Sequence, residues 1–435
     1  MILKDNTNLK STCIKLQVDF YKKIIMNKVY IVFVFIFFIS CQNKPTPLSE
    51  ITKMDVDADV SNVKNITIDS SDAITLSVKD AEESYDVGEF IDSIEYIPLE
   101  TRDDVLIGRI SKVILHNNKF YLLDSSVAKS IFIFNKEGKH LNTISTLGRG
   151  PNEYLSPKNI TIDKYNNELI LIDNSSSSLL YYDLDGNFKR KERCGVRFED
   201  ILRITKENFL MHTGFYENLQ ISKLHGYKIL IGSPLGELKW KGFLKDKFYN
   251  SMGFSGIRYI HECGKNILVT FPFTNTIHQI NPDGTALLRY HFVFKNGSPE
   301  LYKNLSDTGN DLDINVRRSG MDYYVGDYLA ETDNHLITTI EKAGIIQYFI
   351  YDINTKKSFV AIGMDPFGKV IGGVLPCFTD GNSVYSLLDP SDIQRKKNAI
   401  KEGDTPPKGW ELPKVLENVK ETDNPVIIRY TLRTE

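Results

Sequence analysis

The strongest local candidate for chemistry is the loop Gly148-Arg149-Gly150-Pro151-Asn152-Glu153-Tyr154. Glycine-rich loops bind phosphate when their backbone N–H groups lead into a helix and a Lys-Ser/Thr pair follows. This loop lacks that pair and opens no predicted helix, so phosphate binding is not expected. The structural alternative is that the glycines only form a crossover turn, with Tyr154 packed between neighbouring units.

Two acidic segments raise the question of a calcium site, because Ca²⁺ prefers clustered oxygen ligands. The segment 183–187 (DLDGN) begins like a calcium loop, but Cys194 occupies the twelfth position, where such a loop needs a glutamate. We interpret this segment as a hairpin turn. A later loop concentrates carboxylates at Asp307, Asp311 and Asp313. These are the candidate calcium ligands, with a solvated loop as the alternative, and no other cofactor is predicted.

The sequence contains no standard catalytic motif, so catalytic residues cannot be assigned from it. HxH, HExxH and GxSxG are absent, and the eight histidines do not cluster; they include His212, His225, His261, His278, His291 and His335, which are spread over different units. A ring-shaped fold can bring distant residues together, which keeps an enzyme as an alternative. Tyr323, in an insertion, is a candidate for stacking on a sugar or peptide.

The elements that must position these residues recur with a regular period. The turn glycines Gly138, Gly186, Gly236 and Gly284 are 48, 50 and 48 residues apart. Between them, short β-branched or aromatic strands alternate with polar turns. Four strands per unit at this period are typical of propeller blades, which stack round an axis to bury their faces. Six units begin near Val113, Ile160, Leu202, Tyr259, Tyr328 and Val374.

We therefore predict an all-β protein, a six-bladed β-propeller with four-stranded blades, over residues 66–435. An insertion at about 295–325 and a small helical excursion at about 391–420 interrupt the repeats. The C-terminal strand 425–432 and the early strands Ile74–Val78 and Ile94–Leu99 belong to no complete unit. We expect strands from the two chain ends to share one blade, which closes the ring and removes exposed strand edges.

The N-terminus has the pattern of a secretory signal. The apolar run Val29–Cys41 (VYIVFVFIFFISC) follows three lysines and ends at polar residues. The apolar residues before Cys41 would span about 18 Å as a helix, which is less than the about 30 Å of a membrane core. We predict a signal peptide at 1–40, with Met26 as the candidate true start and an uncleaved anchor as the alternative.

Charge and cysteine content argue against other classes. Residues 1–40 carry six basic and two acidic side chains, so removing them changes the formal net charge from −3 to −7. Because Lys and Arg are scattered, no nucleic-acid partner is expected. Cys194, Cys263 and Cys377 include no close pair, which argues against a zinc site or a disulfide framework. We expect them to be buried as small apolar side chains, with one long-range disulfide as the alternative.

Several segments carry a family resemblance. Residues 148–173 (GRGPNEYLSPKNITIDKYNNELILID) resemble an NHL repeat, and 38–41 (FISC) resemble a bacterial lipobox. Together with IEYIPLET at 94–101 and DNPVIIRY at 423–430, they make the chain similar to the six-bladed β-propeller lipoproteins of Bacteroidetes. Later units depart from the NHL pattern; the third has Met211-His212 where an aspartate would end the strand.

The resemblance implies an address and a mode of action. The lipobox implies cleavage before Cys41 and lipidation of that residue, so 41–65 would be the lipidated cysteine and a flexible tether. In NHL-like propellers the glycine-rich loop lies near one face, which would place Arg149, Glu153 and Tyr154 within reach of a ligand.

The function we predict is a binding or scaffold propeller for a protein or glycan ligand. It would be held in the cell envelope by its lipid alone, at the outer membrane and facing the periplasm. The alternative is a lactonase-like hydrolase or lyase with a metal or acid–base site at the central channel.

Overall fold

The computed structural model describes residues 58–83, 90–245, 258–271, 273–299, 301–302, 312–342, 344–361, 376–401 and 412–433. The chain divides into two units, Met1–Lys53 and Met54–Glu435, and every described residue belongs to the second. The predicted signal peptide and Cys41 therefore lie outside the described residues.

The described residues confirm the prediction of a six-bladed, all-β propeller. Five N-terminal strands precede the first complete blade: β1 (Lys64–Asn65), β2 (Thr67–Asp69), β3 (Ile74–Ser77), β4 (Glu82–Glu83) and β5 (Ile91–Pro98). Blade 1 contains β6 (Lys112–His116), β7 (Lys119–Asp124), β8 (Ser130–Asn135) and β9 (His140–Ile144). Blade 2 contains β10 (Pro157–Asp163), β11 (Glu168–Asp173), β12 (Ser178–Asp183) and β13 (Phe188–Arg193).

The remaining blades follow the same order, from the innermost strand outwards. Blade 3 contains β14 (Asp200–Arg203), β15 (Phe209–His212), β16 (Tyr227–Gly232) and β17 (Leu238–Leu244). Blade 4 contains β18 (Ile260–Cys263), β19 (Asn266–Thr270), β20 (Thr276–Ile280) and β21 (Thr285–Val293). Blade 5 contains β22 (Tyr323–Glu331), β23 (His335–Lys342), β24 (Ile345–Asp352) and β25 (Ser358–Ala361), and blade 6 contains β26 (Pro376–Asp380), β27 (Ser383–Leu388), β28 (Val426–Leu432) and β5.

Two α-helices lie in the connections between strands. Helix α1 (Leu312–Ser319) precedes β22, and α2 (Pro390–Lys401) lies between β27 and β28. Ile393 of α2 is buried in the core that blades 5 and 6 share. In the described part of the chain, neither helix has the length and apolar character needed to cross a membrane.

Strands from both ends of the chain close the ring, as predicted, although one expected strand belongs elsewhere. β5 pairs antiparallel with β28, so that Ile97 lies opposite Ile427, and it supplies the outer strand of blade 6. The expectation that 74–78 would share this blade is wrong, because β3 pairs in parallel with β21 of blade 4. Parallel addition needs only a free outer edge, which several blades offer equally.

Residues 58–83, which we call the belt, run along the outside of three consecutive blades. β1 pairs in parallel with β17, β2 and β3 with β21, and β4 with β25. Ala58, at the start of the belt, is only 8% exposed and packs in the core between blades 2 and 3. Residues 58–65 of the expected tether are therefore incorporated in the propeller, where Val60 and Val63 pack against the same core as Ala58.

The core lies between neighbouring blades. Every residue of β11 is buried, because blade 2 packs against blade 1 on one face and blade 3 on the other. Along β11, Leu169 and Leu171 face blade 1 whereas Ile170 and Ile172 face blade 3. This alternation follows from the two-residue period of a strand and explains why the middle strands are continuously apolar.

The outer turn glycines give a matched test of backbone strain. Gly284 has φ of +85°, and a Cβ there would overlap the indole of Trp240. Gly236 occupies the same turn position in blade 3, but its φ angle lies outside the positive range. No atom lies within 4 Å of the position that a Cβ would occupy there. We expect Gly284→Ala to lower the free energy of unfolding by about 1–3 kcal/mol, and Gly236→Ala by less than about 0.5 kcal/mol, in chemical denaturation. Equal losses would contradict this assignment.

Candidate functional site

The innermost strands of the six blades, β6, β10, β14, β18, β22 and β26, surround a central channel. It contains a cavity of about 220 Å³. Because every blade begins with its innermost strand, these strands begin at one end of the channel, the first mouth, and finish at the other, the second mouth. Between the mouths its lining is mixed, with the apolar residues Ile114, Ile162, Leu202, Leu329 and Phe378 beside the polar residues Thr161, His261 and Thr379.

A buried carboxylate at the first mouth connects four blades. Asp200 Oδ1 accepts hydrogen bonds from Lys112 Nζ at 3.0 Å, from Asn159 Nδ2 at 2.9 Å and from the N–H of Ile201 at 3.1 Å. Its Oδ2 accepts from the N–H of Ile260 at 3.2 Å. The side chain of Asp200 is only 2% exposed. Because donors surround the carboxylate and Lys112 compensates its charge, the group is suited to fixing the positions of the inner strands.

A smaller cavity of about 70 Å³ adjoins the first mouth and shares Lys112 and Arg258 with the channel. Lys158 and Glu199 also line it. Burial raises the pKa of the Glu199 carboxyl, and the positive charge of Lys158 opposes that rise. The Arg258 guanidinium lies 5.9 Å from the ring centroid of Tyr328, within the range of a cation–π contact. The first mouth therefore has three cationic and two acidic groups.

The second mouth is also charged, but its ion pair is open to solvent. Lys164 Nζ lies 2.8 Å from Glu262 Oε1, and their side chains are 53% and 38% exposed. Burial, with a contribution from the charge of Lys164, lowers the pKa of His116. Asp380 completes the polar lining at this end. Exposed pairs of this kind contribute little to stability and can exchange partners readily.

His261 lies in the channel wall but is held as a neutral ring. Burial lowers its pKa to about 4, although the carboxylate of Asp200 opposes that change. Thr270 Oγ1 donates to the carbonyl of Gly326 at 2.6 Å, so the His261 Nε2 atom, 3.4 Å away, must be the donor to Thr270. The ring contributes to packing and hydrogen bonding at neutral pH.

The glycine-rich loop does not form the predicted site. Tyr154 is fully buried and its hydroxyl donates to the carbonyl of Lys129 at 2.7 Å, so its prediction as a ligand-binding residue is wrong. Glu153 Oε2 accepts from the N–H of Gly150 at 2.7 Å, which uses this carboxylate to shape the loop itself. Arg149 is exposed, and none of the three predicted residues lines the channel. The crossover-turn alternative agrees with this geometry.

The strand-end aspartates of the NHL-like units hold the loops that enter their own blades. Asp173 accepts from the N–H groups of Leu155 and Ser156 at 2.9 and 3.1 Å. Asp124 accepts in the same way from the N–H groups of Gly108 and Arg109, which precede β6, at 2.9 and 2.8 Å. In blade 3, His212 Nδ1 accepts from the N–H of Gly214 at 3.0 Å. The repeated residue therefore has a structural role.

Tyr323 is also misassigned as a stacking residue. It is 1% exposed, and its hydroxyl donates to Glu341 Oε2 at 2.7 Å. Asp307 and Asp311 lie outside the described residues, as does the side chain of Asp313, whose backbone belongs to α1. Across the described ranges, no three His, Cys, Asp or Glu side chains are grouped closely enough to hold a metal ion.

The acidic turn, Cys194 and Cys263 agree with the predictions made for them. Asp183 Oδ1 accepts from the N–H groups of Asp185 and Asn187, both at 2.9 Å, within the hairpin between β12 and β13. Cys194 and Cys263 are free and buried, and burial raises the pKa of each thiol to about 12. The side chain of Cys377 lies outside the described residues.

The polar residues of the first mouth were not identified from the sequence. Lys112, Asn159 and Asp200 each precede the apolar residues of an innermost strand, at intervals of 47 and 41 residues. An alignment of the repeats by their first strands would have shown this column of polar residues. A motif that is local in sequence cannot reveal this site, because each of several blades contributes one residue to it.

Comparisons with known proteins support the fold. A family model described as a domain of unknown function, DUF4934, matches residues 67–431. A Bacteroides fragilis structure named "Putative exported protein" is 20% identical, with a TM-score of 0.69, and the match covers 85% of this chain and 100% of that one. This likeness shows the fold alone. No curated protein sequence matches the chain.

Two further structures align over most of their length with lower similarity. A member of the DUF4221 family from Bacteroides vulgatus has a TM-score of 0.45 and 10% identity, covering 79% of this chain and 97% of that one. Virginiamycin B lyase from Staphylococcus aureus has a TM-score of 0.39 and 11% identity, covering 78% and 99%.

Proposed function

We propose, from the premise that this chain belongs to the DUF4934 family, that it is an exported binding propeller of the cell envelope. Its ligand would be the acidic end of a glycan or a peptide, held at the first mouth of the central channel. The observation that supports this proposal most directly is that this mouth is lined by three basic residues from three different blades: Lys112, Lys158 and Arg258.

The electrostatics of the mouth favour an acidic group. Asp200 compensates Lys112 through a 3.0 Å ion pair, which leaves Lys158, Arg258 and Glu199 as the other charged groups lining the small cavity. Two cations therefore face one carboxyl in this cavity, which gives the lining a positive charge balance. A carboxylate or other anionic oxygen entering the mouth would therefore gain charge-assisted hydrogen bonds from Lys158 and Arg258.

The size of the channel favours an end group over an entire polymer. A cavity of about 220 Å³ is smaller than the about 300–1,000 Å³ typical of pockets that enclose a drug-sized ligand. It would accept one sugar ring or one terminal residue. Apolar side chains of the channel lining, such as Ile114 and Phe378, would contact the uncharged part of that group.

The cellular address rests on the N-terminal sequence. The signal-like run ending at Cys41 supports export followed by lipidation, at the outer membrane and facing the periplasm. The name of the Bacteroides fragilis structure agrees with export. Lipidation is tested by mass spectrometry of the protein purified from its native membrane. The expected result is a polypeptide that begins at Cys41 and carries acyl groups.

A binding screen with matched variants tests the proposed site. Residues 42–435 would be applied to an array of uronic-acid-terminated and neutral oligosaccharides, and of peptides with free or amidated C-termini. We expect binding to acidic ends, weakened at least about tenfold by Lys158→Ala/Arg258→Ala. Lys136→Ala/Lys139→Ala, which removes two exposed charges from an outer turn of blade 1, should leave binding unchanged. Equal binding of acidic and neutral probes would contradict the proposal.

One observation favours the alternative of a hydrolase or lyase. Glu199 is a buried carboxyl with a raised pKa beside two cations, which is an arrangement used for general acid catalysis. If the protein is an enzyme, Glu199→Gln should abolish turnover of a bound glycan while binding persists. Persistence of turnover in that variant would exclude Glu199 as the acid.

A further inference from the structure

The cavity in the central channel connects the two mouths, because groups from both ends line it. Lys112 and Arg258 line it at the first mouth, whereas Lys164, Glu262 and Asp380 line it at the second. The five residues of β6 lead from one mouth to the other and span about 13 Å at the rise of a β-strand. One ligand of about that length would therefore meet the charged groups of both mouths.

Among the described residues, the two mouths have opposite charge balances. At the first mouth, three basic and two acidic side chains leave an excess of one positive charge. At the second mouth, Lys164 pairs with Glu262, and Asp380 is exposed and pairs with no basic side chain of the described ranges. Burial lowers the pKa of His116, so this ring adds no positive charge at neutral pH. The second mouth therefore has an excess of one negative charge.

We propose that the ligand of the channel is a short peptide of small residues, with its free carboxylate at the first mouth and its free amine at the second. This inference rests on the proposed function, because it places the acidic end at the same mouth, and it adds the group at the other end. The ammonium group would lie at the carboxylate of Asp380, beside the Lys164–Glu262 pair. A reversed peptide would meet like charges at both mouths, so the charges also fix its direction.

The size and lining of the cavity favour a thin peptide. Three extended residues reach about 10 Å, and the long basic side chains at the mouths bridge the remaining distance. Triglycine has as many non-hydrogen atoms as a hexuronic acid, so it needs no more of the about 220 Å³ than a single sugar ring does. Thr161 and Thr379 place polar side chains beside the peptide backbone, whose N–H and C=O groups are costly to bury without partners. A glycan end without an amine would use the first mouth alone.

Calorimetric titration of residues 42–435 with three forms of triglycine tests both ends of the ligand. We expect triglycine to bind at least about threefold more tightly than N-acetyl-triglycine, and at least about tenfold more tightly than triglycine amide. Asp380→Asn should abolish the effect of acetylation and keep the effect of amidation, whereas Lys158→Ala/Arg258→Ala should do the reverse. Glu137→Gln, which removes an exposed carboxylate from an outer turn of blade 1, should leave both effects unchanged.

The two proposals fail in different ways. If amidation weakens binding but acetylation does not, the ligand has no amine at the second mouth, while the acidic site at the first mouth stands. An effect of acetylation that Asp380→Asn retains would overturn the placement of the amine equally. If no form of triglycine binds, the peptide ligand is excluded, and titration with galacturonic acid decides separately whether the first mouth binds an acidic group.

Discussion

Asp200→Ala should lower the free energy of unfolding by about 3–5 kcal/mol, the expected cost of removing one partner of a buried ion pair. The substitution leaves Lys112 without its 3.0 Å partner and removes the acceptor for the N–H groups of Ile201 and Ile260. Asn159 keeps one hydrogen bond, to the carbonyl of Glu199 at 3.0 Å. Chemical denaturation of the purified protein measures the loss.

Two further variants test whether the loss of stability is specific to the carboxylate of Asp200 or would follow from the substitution of any aspartate. Asp200→Asn keeps the shape but places an amino group among donors, so we expect it to lose stability as well. Asp104→Ala removes a carboxylate 3.0 Å from Arg102, where the Asp104 side chain is 73% exposed, and should change stability by less than about 1 kcal/mol. If Asp200→Ala costs no more than Asp104→Ala, the inner strands do not depend on Asp200.

Stability should fall as pH decreases from about 6.5 to about 4. Burial lowers the pKa of His261 and His278 to about 4, so both rings are neutral in the folded protein over this range. The unfolded chain takes up protons on these rings below about pH 6.5, which favours unfolding as the pH falls. Each shift corresponds to about 3 kcal/mol at full effect. The raised pKa of Glu199 acts in the opposite direction and offsets part of the loss.

Single histidine variants test the origin of this pH dependence. His278 lies among aromatic rings, with Phe243 at 4.9 Å between centroids, so His278→Phe should remain folded and show a shallower pH profile. His225 is exposed, and His225→Gln should leave the profile unchanged. Denaturation at a series of pH values gives the profiles. Constant stability from pH 7 to 4.5 would show that the buried histidines do not control it.

The blades could be predicted because their pattern is local. Strand, turn and strand recur within about 48 residues, and the first strands of blades 1 to 5 contain or adjoin the predicted starts. The position of the belt could not be predicted in the same way. A short alternating segment such as β3 fits any free outer edge, so only the complete ring shows that blade 4 is its partner.

The candidate site was less predictable because its residues are distant in sequence. Asp200 contacts groups contributed by residues 112, 159 and 260, which only the closed ring brings together. Conversely, Tyr154 and Tyr323 belong to conspicuous segments and are buried. A conspicuous loop aromatic can serve the packing between blades, and its hydroxyl then needs a buried acceptor, as the Lys129 carbonyl provides for Tyr154.

The most direct test of the binding site is a calorimetric titration of residues 42–435 with galacturonic acid and with galactose, its neutral counterpart. We expect the acid to bind at least about tenfold more tightly than the neutral sugar, and Lys158→Ala/Arg258→Ala to remove this preference. Equal affinities for the two sugars, or a preference for the acid that the double variant retains, would contradict a binding site at the first mouth.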